Sequence, residues 1–171
     1  KIIVRSVLDR TVFVLGRAVA IAAPAGVLIW LLSNLTVGGV AITTLVSEFL
    51  DPLGRLMGLD GAILLAFILG IPANEIVLPL CVMIYLSSGT LSEIGSLSSL
   101  AGTLSANGWT WTTAVSFILF SVMHWPCSTT LMTIKKETGS VFYMILSFLL
   151  PTVCGVAACM LFHAVTGLFM T

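Results

Sequence analysis

Glu75 is the residue of this chain whose position most requires a chemical explanation. It lies within the otherwise uncharged apolar stretch 61–92, directly after Gly70-Ile71-Pro72-Ala73-Asn74. A charge at mid-bilayer costs about 2.5 to 3.5 kcal/mol on insertion scales, so such residues usually face a cavity, a partner or an ion path. The sequence therefore predicts that Glu75 and the neighbouring Asn74 contact a permeating cation. The flanking residues Pro72, Pro79 and Cys81 are candidates for the lining of its path.

The position of Glu75 can also be explained without a transported solute. The carboxyl group could be protonated, or it could bind the end of a neighbouring helix. Cys81 could pack in the interior instead of lining a path, because free cysteine often behaves as a small apolar residue.

A second set of candidate ligands lies in the string His124-Trp125-Pro126-Cys127. His124 and Cys127 are three residues apart and would share a helical face, and Pro126 would free a carbonyl one turn back, near Val122. Nitrogen, sulfur and oxygen donors together suit a borderline divalent transition metal better than magnesium or calcium. The alternative is a proline kink that ends a helix, with an interfacial histidine and a buried cysteine.

The composition indicates that the chain is embedded in a lipid bilayer. Of its residues 58% are hydrophobic and 8% are charged, and the mean hydropathy is +1.17, which does not describe a water-soluble surface. A net charge of zero also argues against a nucleic-acid partner, because a phosphate-binding surface requires clustered Lys and Arg. The chain begins with Lys1 and shows no signal-peptide pattern, so we expect a segment of a longer protein.

The apolar stretches between charges predict the elements that position these residues. We expect an all-α integral membrane fold: about three full transmembrane helices, a broken or re-entrant helical hairpin and an amphipathic N-terminal helix. The predicted segments are the amphipathic helix 1–17, span one 18–36, an amphipathic segment 43–57, the broken hairpin 61–86, a connector 87–108, span three 109–127 and span four 141–169.

Basic residues indicate the orientation of the chain. By the positive-inside rule the groups before span one and before span four lie in the cytoplasm; they are Lys1, Arg5, Arg10 and Arg17, and Lys135 and Lys136. Trp109 and Trp111 suit the headgroup level at the start of span three. Three simple crossings would place Lys135 outside, so one element must turn back without crossing.

Two stretches could turn back, 43–57 and 61–86. We favour 61–86, because Pro72 and Pro79 each remove a backbone donor and obstruct a helical turn. Irregular backbone at membrane depth survives only where protein shields it or where it lines a water-filled cavity. A broken helix with a carboxylate at the break therefore indicates a binding site, as in transporters whose half-helix ends face the solute.

Several short sequence motifs of the chain resemble those of a known protein family. They are Asp9-Arg10-Thr11 with Gly16-Arg17-Ala18, Phe49-Leu50-Asp51-Pro52-Leu53-Gly54, the segment 70–75, Pro126-Cys127-Ser128-Thr129-Thr130, and Ile134-Lys135-Lys136-Glu137-Thr138-Gly139-Ser140. With them the whole chain, 1–171, resembles the C-terminal membrane part of the ferrous iron transport protein B family, specifically its second Gate domain, also called nucleoside recognition.

The resemblance implies a multi-pass transporter for Fe(II) in the bacterial inner membrane. Its partners would be a first Gate module and a GTP-binding domain of the same protein, with membrane lipid around it and a homo-oligomer as an open alternative. Cys127 matches the Pro-Cys of the family's Gate motif, and Glu75 matches its Gly-x-x-Ala-x-Glu carboxylate. Asn74 is a departure from the resemblance, because many members have Lys there.

The function expected from these residues is permeation and not catalysis. Fe(II) would be the transported ion, with transient contacts at Glu75, Asn74, Cys127 and His124 and no tightly bound cofactor. No Gly-x-x-x-x-Gly-Lys-Ser/Thr phosphate loop occurs in the sequence, so any GTP hydrolysis would lie outside it. The alternatives are a carrier of nucleosides or other small solutes, and a membrane scaffold or dimerisation module that transports nothing.

Overall fold

The computed structural model of the protein describes residues 2–86 and 97–169, and nearly all of the regular structure there is helical. A short 3-10 turn, Asn74–Ile76, precedes the fourth helix. In chain order the elements are α1 Ile2–Asn34, β1 Thr36–Val37, β2 Val40–Ala41, α2 Ile42–Leu56, α3 Gly61–Leu69, α4 Val77–Leu86, α5 Leu97–Ala106, α6 Trp111–Met123, α7 Ser128–Thr138 and α8 Val141–Phe169.

Two stretches among the described residues are long and apolar enough to cross a membrane. They are 111–138, which combines α6 and α7, and α8. The pair α2 and α3 is a third candidate and is bent by 108°. The prediction of an all-α fold with about three membrane-spanning helices and a broken or re-entrant element is therefore confirmed.

The chain bends by 108° between α2 and α3, at the boundary of the two stretches considered for turning back. Asp60 caps the start of α3, where its Oδ1 accepts a hydrogen bond from the Ile63 N–H at 2.7 Å. Asp51 of α2 reaches across the bend, and its Oδ1 accepts from the Gly61 N–H at 3.2 Å. The two carboxylates thus satisfy backbone donors that a helix start otherwise leaves without partners.

Four predicted segments look different in the structure. The amphipathic helix 1–17 and span one join in the continuous helix α1, followed by a small antiparallel hairpin of β1 and β2 that the sequence does not predict. The connector 87–108 contains α5, while its residues 87–96, with Glu93, lie outside the described residues. Within predicted span three, 109–127, the helix α6 already ends at Met123, and the next helix, α7, begins at Ser128.

The apolar core centres on α3 and α4. Both helices are apolar on all sides; α3 is almost completely buried and α4 has six of its ten residues buried, as expected for helices surrounded by protein. Phe67 of α3 packs edge-on against Phe120 of α6 with ring centroids 4.8 Å apart, and lies 5.3 Å from the ring of Phe117. The outer helix α8 instead exposes large apolar side chains, as a lipid-facing helix does.

A polar network connects the ends of three elements beside this core. The Tyr85 hydroxyl, at the end of α4, donates to Oδ2 of Asp60, and the Trp109 indole N–H donates to the Tyr85 oxygen at 2.8 Å. The role of Asp60 here is to fasten the start of α3 to the end of α4.

We expect Tyr85→Phe to lower the free energy of unfolding by roughly 1 to 3 kcal/mol, because it leaves the half-buried Asp60 and Trp109 groups without their partner. Denaturant unfolding of the purified protein in detergent micelles measures the change. Tyr143→Phe, which removes a hydroxyl from an exposed position on α8, is the matched control and should change little. Equal stability of the two variants would show that the network contributes nothing.

Candidate functional site

The first component of the site is the interruption after α3. This helix ends at Leu69, and the chain turns through residues 70–73 before the 3-10 turn and α4. Pro72 has no N–H with which to continue the helix. Gly70 is needed because a Cβ there would lie 2.5 Å from Cγ2 of Val77 and 2.9 Å from the Ala66 carbonyl oxygen. The predicted break within 61–86 is confirmed at these residues.

The two other residues predicted to line the ion path, Pro79 and Cys81, lie in α4. Pro79 is the third residue of α4 and interrupts nothing, so the prediction that it obstructs a helical turn is wrong. Its missing N–H belongs to the first turn of a helix, where no partner within the helix exists. Cys81 is fully buried in the apolar core, which agrees with the packing alternative.

The second component is the interruption between α6 and α7. The α6 helix ends at Met123, and His124 caps it with extended backbone at ψ 179°. Pro126 disfavours the helical conformation at Trp125 and supplies no N–H. Cys127 is the residue before α7 and is also extended, with ψ 157°. The prediction that His124 and Cys127 share a helical face is therefore wrong, because neither lies in a helix.

The two interruptions touch each other. The N–H of Ser128, the first residue of α7, donates a hydrogen bond of 2.9 Å to the carbonyl oxygen of Ile71 in the first break. Each group lies at a helix end, where backbone donors and acceptors have no intrahelical partner. The two motifs with candidate ligands, 70–75 and 124–130, are therefore neighbours in space.

Two side-chain oxygens at these breaks are buried and have no hydrogen-bond partner among the described residues: Oδ1 of Asn74 and Oγ of Ser128. Buried polar atoms are normally hydrogen-bonded, so an exception calls for a water, an ion or a solute. Sequence reasoning selects Asn74 but misses Ser128. A hydroxyl directly after Pro126-Cys127 at a helix start is the signal that could have identified it.

His124 is enclosed by aromatic rings and is 9% exposed. Its ring centroid lies 5.0 Å from that of Phe67 and 5.6 Å from that of Trp125. Nδ1 lies 2.9 Å from the Ser121 carbonyl oxygen, which can only accept, so Nδ1 carries the proton. In the neutral ring this leaves a lone pair on Nε2, which is buried and has no hydrogen-bond partner in the part of the chain that the structure describes. The carbonyl next to the ring is that of Ser121; a freed carbonyl near Val122 as an oxygen ligand stays a prediction.

Glu75 and Cys127 are the more accessible members of the set. Glu75 lies in the 3-10 turn with its side chain exposed, and its carboxylate forms no hydrogen bond or ion pair with residues 2–86 or 97–169. Cys127 is partly exposed, and its Sγ lies 3.0 Å from Oγ1 of Thr129 and 3.2 Å from Oγ1 of Thr130. Both side chains are therefore open to a further partner.

The predicted ligands do not converge on one point. Within the part of the chain that the structure describes, no group of three or more His, Cys, Asp or Glu side chains could hold a metal ion. Glu75 and Asn74 belong to the first break, and His124 and Cys127 to the second. The backbone contact between the breaks connects the two pairs.

These features define the class of protein. A mainly helical unit with two to three candidate membrane spans, in which two interrupted helices meet beside unpartnered polar groups, is a membrane module of transporter-like architecture. A family model named Gate and described as nucleoside recognition matches residues 15–141, and the chain belongs to this family. The matched region includes both interruptions. Curated proteins and solved structures gave no match.

Proposed function

We propose that this chain forms part of the path of Fe(II) through the bacterial inner membrane, as one Gate module of a transporter of the ferrous iron transport protein B type. The GTP-binding domain of that transporter would lie outside the chain. The observation that carries the proposal is the hydrogen bond from Ser128 to Ile71, because it joins the two interrupted helices beside unpartnered oxygens.

The chemistry of the available donors favours a borderline divalent transition metal. Glu75 and Asn74 offer carboxylate and amide oxygens, His124 offers the Nε2 lone pair, and Cys127 offers sulfur. Nitrogen and sulfur donors select against magnesium and calcium. The strings 126–130 and 134–140, which resemble those of the iron transporter family, favour Fe(II) as the ion.

An incomplete set of ligands suits permeation. An ion must bind well enough to enter and weakly enough to leave, and a complete coordination sphere would retain it. In the proposed sequence Fe(II) loses part of its water shell at Glu75 and Asn74 near the first break. It then passes Cys127 and His124 at the second break toward the cytoplasmic side. That side is assigned from Lys135 by the positive-inside rule. The first Gate module of the same protein would supply the remaining contacts.

A nucleoside or another small organic solute is the second candidate. The description of the Gate family as nucleoside recognition favours it, and so do the unpartnered Asn74 Oδ1 and Trp125 Nε1, which could bind a polar heterocycle. However, Trp125 is 8% exposed and stacks on Phe148 with centroids 5.4 Å apart. A base would have to displace this contact in order to stack.

Transport by the complete protein in sealed vesicles distinguishes the candidates. We expect saturable accumulation of Fe(II), kept reduced with ascorbate, when GTP is supplied, and no accumulation of radiolabelled nucleosides. Vesicles without protein are the control. Nucleoside accumulation without Fe(II) uptake would replace the proposal with the second candidate. Uptake of neither solute, by protein shown to be folded, would indicate a membrane scaffold.

A further inference from the structure

A cleft remote from the two interruptions has no role in the proposed path. It lies between the C-terminal end of α2 and the last third of α8, and its volume is about 390 Å³. Two of its residues are polar and able to donate hydrogen bonds, and three are apolar; they are Arg55 and His163, with Leu56, Met160 and Ala164. Such a lining suits a ligand with an anionic group attached to an apolar body.

Arg55 is held in place but keeps donors free. Its Nε donates to Oδ2 of Asp51 at 2.6 Å, and the arginine side chain is 79% exposed. The other oxygen of Asp51 accepts a hydrogen bond from the Gly61 N–H, so both oxygens of this carboxylate already have a partner. The terminal amino groups of Arg55 have no partner among the described residues. A guanidinium with a free pair of donors binds phosphate in two-point fashion.

His163 supplies a second donor on the opposite wall. Its side chain is exposed, and its imidazole forms no hydrogen bond within the described part of the chain. His163 lies outside the residues 15–141 that match the Gate family. The donor pair of this cleft therefore does not come from the family motifs.

A tryptophan near the cleft indicates that the cleft lies at the headgroup level of a bilayer. Trp111, at the start of α6, is 58% exposed and packs edge-on against Phe162, the neighbour of His163, with ring centroids 6.3 Å apart. Exposed tryptophans concentrate at the membrane–water interface. The outer face of α8 near the cleft is apolar, with Leu161 68% and Leu168 80% exposed.

We propose that this cleft binds the phosphate of an anionic phospholipid, with Arg55 and His163 as its donors. The acyl chains then lie along the exposed apolar face of α8, which an inorganic phosphate could not use. This lipid contact holds α2 and α8 together from outside. It does not depend on the ion or solute that the interrupted helices transport.

The test uses the complete protein that contains this chain, purified in detergent and titrated with phosphatidylglycerol or phosphatidylcholine under native mass spectrometry. We expect one phosphatidylglycerol to be retained preferentially. Arg55→Gln, which removes the charge, and His163→Leu, which removes the donor, should each weaken its binding by about ten-fold, the effect of losing one charge-assisted hydrogen bond. Arg55→Lys, which keeps the charge, should retain part of the affinity and shows that the cleft still folds.

Lys135→Gln is the matched control, since it removes one positive charge far from the cleft, on α7. Equal losses in Lys135→Gln and Arg55→Gln would overturn the proposal in favour of diffuse electrostatic attraction. Unchanged retention in both cleft variants would also overturn it. Displacement of the lipid by millimolar inorganic phosphate would assign the donors to a soluble anion and reject the phospholipid.

Discussion

Glu75→Gln in the complete transporter is expected to lower Fe(II) uptake by at least about ten-fold while the amount of protein in the membrane stays near normal. Glutamine keeps the size and one acceptor oxygen of glutamate but removes the charge. A charge-assisted contact is worth about 1.5 to 3 kcal/mol, and each 1.4 kcal/mol changes an equilibrium constant about ten-fold. Because Glu75 is exposed and makes no polar contact with the described residues, its replacement should not disturb folding.

Initial rates of ⁵⁵Fe uptake in cells, normalised to protein abundance by immunoblot, give the result. Glu137→Gln is the control, because it removes an exposed carboxylate from the last turn of α7, away from both interruptions. Two outcomes would contradict the assignment. Unchanged uptake in Glu75→Gln would remove the carboxylate from the path, and loss of protein abundance would assign it a structural role.

The interruptions could be predicted because their causes are local. Pro72 and Pro126 each lack a donor and restrict the residue before them, and both effects act whatever surrounds the chain. Pro79 shows the limit of the rule. A proline is harmful inside a helix and harmless in its first turn, and the position of that first turn depends on where the preceding break ends.

The contact between the interruptions could not be predicted from the sequence. Ser128 and Ile71 are far apart in the chain, and a backbone hydrogen bond leaves no trace in the identity of the side chains that carry it. The same holds for Asp60, whose partners Tyr85 and Trp109 come from two other elements. Spacing along one helix predicts which residues share a face, but it cannot predict which helices cross.

A substitution at the contact between α2 and α3 is also expected to lower the free energy of unfolding strongly. Gly61 is the first residue of α3, and a Cβ placed on it would lie 1.8 Å from the Ser47 carbonyl oxygen and 2.8 Å from the Asp51 nitrogen. Both are backbone atoms of α2, so a change of rotamer cannot relieve the overlap. Gly61→Ala must therefore displace α3 and break the hydrogen bond between the Gly61 N–H and Asp51. We expect a loss of about 3 kcal/mol or more in the free energy of unfolding.

Denaturant unfolding followed by tryptophan fluorescence in detergent micelles measures this loss, with Gly102→Ala as the control. Gly102 lies in α5, and a Cβ placed on it would have no neighbour within 4 Å, so alanine there should stabilise the helix by up to about 1 kcal/mol. Wild-type stability of Gly61→Ala would mean that α2 and α3 do not approach this closely. Since α3 carries the first interruption, a displaced helix should also separate Ile71 from Ser128, so reduced Fe(II) uptake by the surviving folded protein would connect this packing to the path.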